Sequence, residues 1–268
     1  MVYFSAEHLA LANQALRETF GQCSVAWQAI PHWDTGDPGQ LTVANGLLGG
    51  SAGFTPLAAP PPPPPAPTVQ LTVAEAIAPT PDALLTGVMA ATETLASSFD
   101  TDVLKTCFGA PKPSNQLTFA ATPVTPQDLQ DKLIGARVIV ENAGYRAPSC
   151  LITNTKGLLY LNQLVNGYYN ILQQTLAAAN INSLYRFEID AANTTTKARM
   201  LLIGRRRRIA QGAAPEASPG EEPADVAFSV LPSLEVDGET NTGNIQLSPR
   251  IRYAARITDA TGLVTLKE

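Results

Sequence analysis

The strongest hydrophobic pattern in the chain lies in residues 80–105 and predicts one long helix. Apolar residues recur there at steps of three, four and seven positions, as one face of a helix requires; they are Leu85, Val88, Leu95, Phe99 and Val103. Thr80 is placed to cap this helix, Pro81 suits the first helical position, and Asp82 complements the positive helix N-terminus. A helix of about 25 residues is roughly 37 Å long, nearly the span of a small domain. Gly109 and the prolines after it end the helix, so we expect the other elements to pack around it.

Weaker patterns predict three further helices and a set of strands. The helices cover residues 5–20, with Ser5 as cap and Gly21 as terminator, residues 125–144 after a capping sequence, and residues 156–178. Alternating or continuous apolar runs predict strands at residues 149–153, 184–189, 199–203, 226–231, 248–257 and 263–266. This order of helices and strands indicates an α/β or α+β unit.

The strand at residues 248–257 has two different faces. Because successive strand residues point to opposite sides of a sheet, one face carries apolar side chains and belongs in the core. Its members are Ile251, Tyr253, Ala255 and Ile257. The other face carries Arg250, Arg252, Ala254 and Arg256, and is a candidate contact surface.

The segment between the first helix and the long helix reads as an extended ribbon. Residues 23–53 are rich in turn formers, and their aromatic side chains Trp27 and Trp33 need burial that the main body or another subunit must supply. Residues 58–67 form a stiff polyproline tract. This tract is a linker, the rim of a protruding loop or a ligand for proline-binding modules, although it lacks flanking basic residues. Residues 68–74 look like a returning strand that leads into the long helix.

Composition indicates a folded protein with little surface charge. The chain has 268 residues, of which 45% are hydrophobic and 15% charged, and its formal net charge is −5. Such a balance argues against wholesale coating by nucleic acid, and the scarcity of charge suggests a surface covered by partners.

One dense charge cluster interrupts this pattern, formed by Arg205, Arg206, Arg207 and Arg208 after an apolar strand. It is a solvated strand end, a patch that pairs with acidic residues of a neighbouring subunit, or a contact to phosphate backbones. Because no aromatic residues are interleaved, it gives no basis for sequence-specific recognition.

The chain shows no pattern typical of an enzyme. His8 and His32 are the only histidines, and neither accompanies a nucleophile motif. The glycine-rich residues 46–53 lack the lysine of a phosphate-binding loop, and the three cysteines lack metal-ligand spacing. We therefore expect no catalytic, cofactor or metal site. No signal peptide and no apolar run of about 18 residues is present, so we expect no membrane segment and a reducing cytoplasm as the place of folding.

Read together, three segments resemble the Hong Kong 97 capsid fold of tailed-phage major capsid proteins and encapsulin shells. Residues 81–110, PDALLTGVMAATETLASSFDTDVLKTCFGA, are similar to its spine helix and exit. Residues 125–164, from TPQDLQDKLIG to LLYLNQL, are similar to its apical helix, glycine turn, buried strand and next helix. Residues 251–268, IRYAARITDATGLVTLKE, are similar to its closing strand and tail.

The resemblance implies an α+β fold with a defined order of parts. They are an N-terminal arm at residues 1–29, an extended loop at 30–75, a peripheral domain with the spine helix at 76–121, an apical domain at 122–248, and a C-terminal strand returning to the peripheral domain at 249–268. Because no lysine precedes Lys105, we expect no covalent crosslink from the extended loop and a shell held together non-covalently.

The resemblance also implies a function without catalysis or cofactor. We expect a phage major capsid protein that assembles in the bacterial host cytoplasm, as pentamers and hexamers of itself, into an icosahedral virion shell around the genome. The alternative is an encapsulin nanocompartment that encloses cargo protein. A tail protein, an adaptor or a non-assembling binding module would instead stay monomeric. Candidate contacts to neighbouring subunits, or non-specifically to packaged double-stranded DNA, are Arg205, Arg206, Arg207, Arg208, Trp27 and Trp33.

Overall fold

The computed structural model shows an α+β chain with two principal β-sheets and one long helix. It describes residues 4–45, 53–59, 67–120, 123–165, 169–170, 172–188, 197–206 and 222–268. The helices are α1 Ala6–Cys23, α2 Val25–Ala29, α3 Val73–Ala76, α4 Asp82–Gly109, α5 Pro126–Asn142, α6 Thr155–Leu161 and α7 Leu172–Ala178. The strands are β1 His32–Asp34, β2 Thr42–Ala44, β3 Phe54–Pro56, β4 Val69–Leu71, β5 Gln116–Thr118, β6 Ala147–Thr153, β7 Leu164–Val165, β8 Tyr169–Asn170, β9 Ile181–Arg186, β10 Arg199–Arg205, β11 Ala224–Glu239, β12 Ile245–Ile257 and β13 Leu263–Lys267.

The long helix predicted from the hydrophobic period is α4, which runs for 28 residues. Its buried side contains Val88, Leu95, Phe99 and Val103, as expected. Two details of its beginning differ. Leu84 is fully covered while Leu85 is only partly buried. The predicted Thr80 cap is wrong, because Pro81 occupies the cap position and no side chain bonds to the free amides there.

Helix α1 lies against α4 and begins where the sequence predicts. The Ser5 Oγ accepts a hydrogen bond from the backbone N–H of His8 at 3.0 Å. The helix does not end at Gly21, because the backbone N–H of Ser24 still bonds to the carbonyl of Phe20. Phe20 packs on Phe99 of α4 with ring centroids 5.3 Å apart.

One sheet has five strands in the order β5-β13-β10-β6-β9 and is covered on both faces. Leu201 and Ile203 of the central strand β10 join the cluster that contains the C-terminal half of α4. Met200 and Leu202, which point the other way, pack in a cluster with α5 and α6. Burial on both sides explains why this strand is continuously apolar instead of alternating.

The other sheet has four strands in the order β1-β11-β12-β4. Its centre is a long antiparallel ribbon made by β11, with 16 residues, and β12, with 13 residues. Strand β4 pairs with the beginning of β12, and β1 runs parallel to the beginning of β11. Helix α1 and the N-terminal half of α4 cover the part of the sheet near β4 through Leu16, Val69, Leu84, Val88 and Leu247.

The single helix predicted at residues 156–178 is wrong. This segment forms the short helices α6 and α7, with strands β7 and β8 between them. Asn162 ends α6, because its backbone N–H and its side-chain amide both donate to the carbonyl of Leu158, at 3.1 and 2.9 Å. An asparagine side chain that competes for backbone carbonyls favours such an end. Leu164 of β7 then pairs with Asn170 of the antiparallel strand β8.

The C-terminal residues contribute to both sheets. The predicted boundary between residues 248 and 249 falls inside β12, which continues through it as one strand. Strand β13 pairs with β10 and with β5, and Leu263 at its beginning packs in the cluster that contains the C-terminal half of α4. The predicted division of the chain into domains, including the C-terminal part, stays a prediction.

In the part of the chain that the structure describes, no helix is both long enough and apolar enough to cross a bilayer.

Candidate subunit-contact surface

A small hairpin formed by β2 and β3 presents apolar side chains to solvent; it is here called the exposed hairpin and comprises residues 41–45 and 53–57. Its strands pair Ala44 with Phe54 and Thr42 with Pro56. Two large apolar side chains on it lie in solvent, since Leu41 is 67% exposed and Phe54 is 70% exposed. The loop that joins the strands, residues 46–52, lies outside the described residues.

The base of the exposed hairpin is attached to the ribbon of β11 and β12. Val43 and Leu57 are buried against Ala227 and Ala254. Trp33 of β1 packs on the same cluster. The hairpin is therefore fixed on the ribbon through Val43 and Leu57, while Leu41 beside Leu57 and Phe54 beside Ala44 remain exposed.

Backbone hydrogen bonds extend this attachment. The N–H of Ala58 donates to the carbonyl of Tyr253 at 2.9 Å, and the N–H of Tyr253 donates to the carbonyl of Ala58 at 3.0 Å. Within the hairpin, the N–H of Leu57 donates to Leu41 at 2.9 Å.

Arg256 is a buried charge beneath the other end of the hairpin, next to Ala44. Its guanidinium bonds both oxygens of Asp225, with Nε–Oδ1 at 2.6 Å and Nη2–Oδ2 at 2.5 Å. Its Nη1 donates to the carbonyl of Ala44 at 2.6 Å. The Trp33 ring centroid lies 5.0 Å from the guanidinium carbon. The expectation that Arg256 belongs to an exposed contact face is thus wrong, because Asp225 lies opposite it in the ladder and balances its charge inside the protein.

Arg250, on the same predicted face, is about half exposed. It forms ion pairs with Glu235 and Asp237 of β11. This end of the face remains open to solvent.

Trp27 is partly buried against its own subunit. Its ring stacks on His32 with centroids 3.7 Å apart and contacts Phe20 and Phe228 at 5.5 and 5.3 Å. The main body therefore supplies part of the burial that the sequence demands for Trp27, as it does for Trp33. Their assignment as contacts to a neighbouring subunit stays a prediction.

The described part of the arginine run is bonded within the subunit. Arg205 donates through Nη2 to the carbonyl of Ala29, which joins β10 to the end of α2. Arg206 lies over the Tyr145 ring, 5.0 Å from its centroid. Arg207 and Arg208 lie outside the described residues, so the role of the run stays a prediction.

Tyr145, whose ring lies under Arg206, links the arginine run to the segment between β12 and β13. Its hydroxyl donates to Asp259 at 2.8 Å. Burial and the bond to Asp259 raise the pKa of Tyr145, whereas Arg206 lowers it. Arg206 is thus part of a hydrogen-bonded and stacked group on the subunit itself.

A groove of about 460 Å³ lies between β4 and the N-terminal half of α4. The α4 side of the groove consists of small residues, namely Ala83, Gly87, Ala90, Ala91 and Thr94. A Cβ at Gly87 would approach the Val69 Cγ1 to 2.7 Å, so glycine permits β4 to lie this close to the helix. Strand β4 ends the four-stranded sheet, which leaves one edge beside the groove.

A buried carboxylate joins α4 to the beginning of α2. Asp100 accepts hydrogen bonds from the Ser24 hydroxyl at 2.5 Å and from the backbone N–H groups of Val25 and Ala26 at 2.8 and 2.9 Å. Burial raises the pKa of Asp100 to about 6, against the lowering effect of these three bonds. The joint fixes the N-terminal arm on the spine of the molecule.

Sequence reasoning missed the exposed hairpin, the groove and Asp100. Only the groove has a local signal, because the small residues of α4 recur at helical spacing and mark a close approach. Exposure of Phe54 and burial of Asp100 depend on contacts with distant parts of the chain, such as the 76 positions between Ser24 and Asp100. No three His, Cys, Asp or Glu side chains of the described ranges are grouped as metal ligands.

Comparison with known proteins gives structural but not sequence relatives. No family model and no curated protein sequence matches the chain. A virus-like particle from Pyrococcus furiosus is similar with a TM-score of 0.68 and 13% identity, over 97% of this chain and 100% of that one. A phage-related protein from Bordetella bronchiseptica RB50 has a TM-score of 0.68 and 7% identity, over 96% of each chain.

An encapsulin is also similar. The holo-SrpI encapsulin complex from Synechococcus elongatus PCC 7942 matches with a TM-score of 0.61 and 10% identity, over 91% of this chain and 87% of that one. These likenesses confirm the predicted fold class. The chain has the α+β Hong Kong 97-type capsid fold, in which α4 is the spine helix.

Proposed function

We propose that the chain is a structural protein that assembles with copies of itself into a closed icosahedral shell. The observation that carries this proposal is the exposed hairpin on a capsid fold. Leu41 and Phe54 present apolar surface on a projection whose base is fixed. Within one subunit this surface stays in water, whereas a second copy that covers it removes it from water at a gain of about 25 cal/mol per Å².

The groove beside α4 provides a surface for such a contact. Strand β4 pairs with residues 245–247 of β12, while the exposed hairpin is bonded to β12 at Tyr253 and Arg256. From Leu247 the strand extends about 20 Å to Tyr253, the nearer attachment, and about 30 Å to Arg256, at 3.3 Å per residue. The hairpin therefore lies too far away to fill the groove of its own subunit, and contact between the two joins different patches on two copies. Repeated contacts of this heterologous kind form rings such as pentamers and hexamers when the rotation between copies closes, and open filaments when it does not.

We favour a phage genome as the content of the shell. The phage-related structure supports this choice, and the virus-like particle supports a shell of either content. In this role the protein is the major capsid protein of a virion and works without catalysis. The encapsulin alternative, with cargo protein inside, is supported by the likeness to the SrpI complex.

Particles isolated from cells that naturally make the chain provide the test. Electron microscopy should show closed icosahedral shells. Long nuclease-protected DNA inside them supports the phage capsid, and one enzyme present in constant ratio to the shell supports the encapsulin. A chain that remains monomeric in these cells contradicts both and favours a non-assembling binding module.

A further inference from the structure

We propose that Arg256 is a positioning residue that sets the direction in which the exposed hairpin leaves the subunit. This inference rests on the proposed function, in which the exposed hairpin contacts a second copy. It assigns a role in assembly to a side chain that lies inside the subunit and touches no partner itself.

The Arg256 guanidinium is held by three groups, namely Asp225, the Ala44 carbonyl and Trp33, and we call this arrangement the clamp. The side chain is 5% exposed and its partner Asp225 is 4% exposed. Nε and Nη2 hold the two carboxylate oxygens, so the planar guanidinium cannot rotate. The remaining nitrogen, Nη1, points at the carbonyl of Ala44, and Trp33 lies beside the guanidinium.

The clamp acts on the part of the hairpin nearest the exposed end. Ala44 is the last residue of β2 and pairs with Phe54 across the hairpin. A carbonyl held at a fixed place therefore fixes the neighbouring Phe54 as well. The apolar contacts that attach the hairpin are made by Val43, in the neighbouring pair, and by Leu57 at the other end.

The hairpin needs an outside constraint. Each of its strands has three residues, and an isolated two-stranded hairpin of this kind is marginally stable in water. A hydrogen bond from a charged donor in a dry site is stronger than a neutral one. The hydrogen bond from Arg256 Nη1 to the Ala44 carbonyl supplies such a constraint, because it joins a side chain of the main body to the backbone of β2.

A buried ion pair can also serve stability alone, and suitable variants separate the two roles. The double variant Asp225→Leu with Arg256→Met removes both charges together, which spares the subunit an unpaired buried charge. Arg256→Lys keeps the charge balance with Asp225, but a single ammonium cannot span both the carboxylate and the Ala44 carbonyl. Arg250→Met removes an exposed arginine from the same strand and is the matched control.

Amide hydrogen exchange of the unassembled subunit gives the direct readout. The Asn45 amide bonds to Gly53 inside the hairpin, and the Phe119 amide bonds to Lys267 at the end of the five-stranded sheet. In the double variant and in Arg256→Lys we expect exchange at Asn45 to rise at least about tenfold, the effect of losing one charged hydrogen bond. Exchange at Phe119 should stay unchanged, and Arg250→Met should behave like the wild type at both amides.

Assembly is then compared by electron microscopy. The two clamp variants should give irregular or no shells while their melting remains cooperative. Unchanged exchange at Asn45 in a folded variant overturns the proposal, and so do regular shells from a variant with a loosened hairpin. Loss of folding in both variants shows that the pair maintains the whole subunit and overturns it too. If the wild type forms no shells, the proposed function fails, while the exchange at Asn45 still decides whether Arg256 holds the hairpin.

Discussion

The five-stranded sheet and the exposed hairpin differ in how far their apolar side chains are buried within one subunit. The sheet is covered on both faces, and Leu201 and Leu202, which point in opposite directions, are both fully buried. The hairpin is attached at its base and leaves Leu41 and Phe54 in solvent. One region therefore completes its core within a single chain, whereas the other leaves apolar surface that a second copy covers under the proposed function.

The largest effect on the subunit should come from opening the interior of the five-stranded sheet. Leu202→Ala leaves a cavity between β10 and α5 and should lower the free energy of unfolding by about 2–5 kcal/mol. Leu159→Ala, at a leucine that is 60% exposed on α6, is the matched control and should change it by less than about 0.5 kcal/mol. Urea unfolding of the unassembled subunit measures both. Equal losses of unfolding free energy in the two variants would show that the interior of the sheet does not stabilise the subunit more than its surface does.

The joint at Asp100 should make the stability of the subunit depend on pH. Its pKa is raised from 3.8 to about 6 in the folded protein, so the folded state binds the proton more tightly than the unfolded state. The carboxylate therefore destabilises the fold above about pH 6, and the unfolding free energy rises as pH falls through the window from about 6 to 3.8. The whole change is about 3 kcal/mol, of which about 1 kcal/mol lies between pH 7 and 5.

Comparison with Asp100→Asn isolates this group from the other titrating residues. Tyr253, Cys23 and Asp102 lie near enough to interact electrostatically with this joint or with each other, and they remain in both proteins. The unfolding free energy of the wild type minus that of the variant should grow as pH falls. A difference that is flat between pH 7 and 5 would exclude Asp100 as the titrating group.

A smaller effect should follow from the cap of α5, the helix that covers one face of the five-stranded sheet. Thr125 accepts a hydrogen bond from the backbone N–H of Asp128 at 3.2 Å. Thr125→Ala should cost about 1 kcal/mol of unfolding free energy, although the residue is exposed. Thr101→Ala, on the exposed side of α4 and away from any helix end, is the control and should cost nothing. Equal losses would mean that the cap adds nothing to this region.

The smallest effect on the subunit, and the clearest effect on assembly, should come from the hairpin. Phe54→Ser should leave the unfolding free energy within about 0.5 kcal/mol of the wild type, because the side chain is exposed. The same change should reduce the yield of shells, which sedimentation of the assembly reaction measures. Thr42→Ser, in the same hairpin, is a control that keeps the apolar end. Normal yields of shells from Phe54→Ser would show that the exposed end of the hairpin is not needed for assembly.

Regularities within one element were predictable from the sequence. The period of α4 is local, so Val88, Phe99 and Val103 identify its buried side without knowledge of the fold. The same holds for the Thr125 cap of α5 and the apolar strand β10. The order of these elements was sufficient for the resemblance to the Hong Kong 97 fold.

Features that depend on two distant segments were not predictable. Arg256 shares an alternating face with Arg250, and only the pairing with Asp225, 31 positions away, decides that one arginine is buried while the other is exposed. The helix predicted at residues 156–178 failed for a different reason. Its apolar spacing suits a helix, but Asn162 ends the first turns and the chain pairs with itself before α7 begins.

The central claim is that this chain covers its exposed hairpin with another copy of itself in a closed shell. The most direct measurement is the molar mass of the purified wild-type chain, determined by light scattering under conditions that favour assembly. The account predicts one uniform species of many subunits, seen as closed icosahedral particles by electron microscopy. Monomers or dimers alone under these conditions would contradict it.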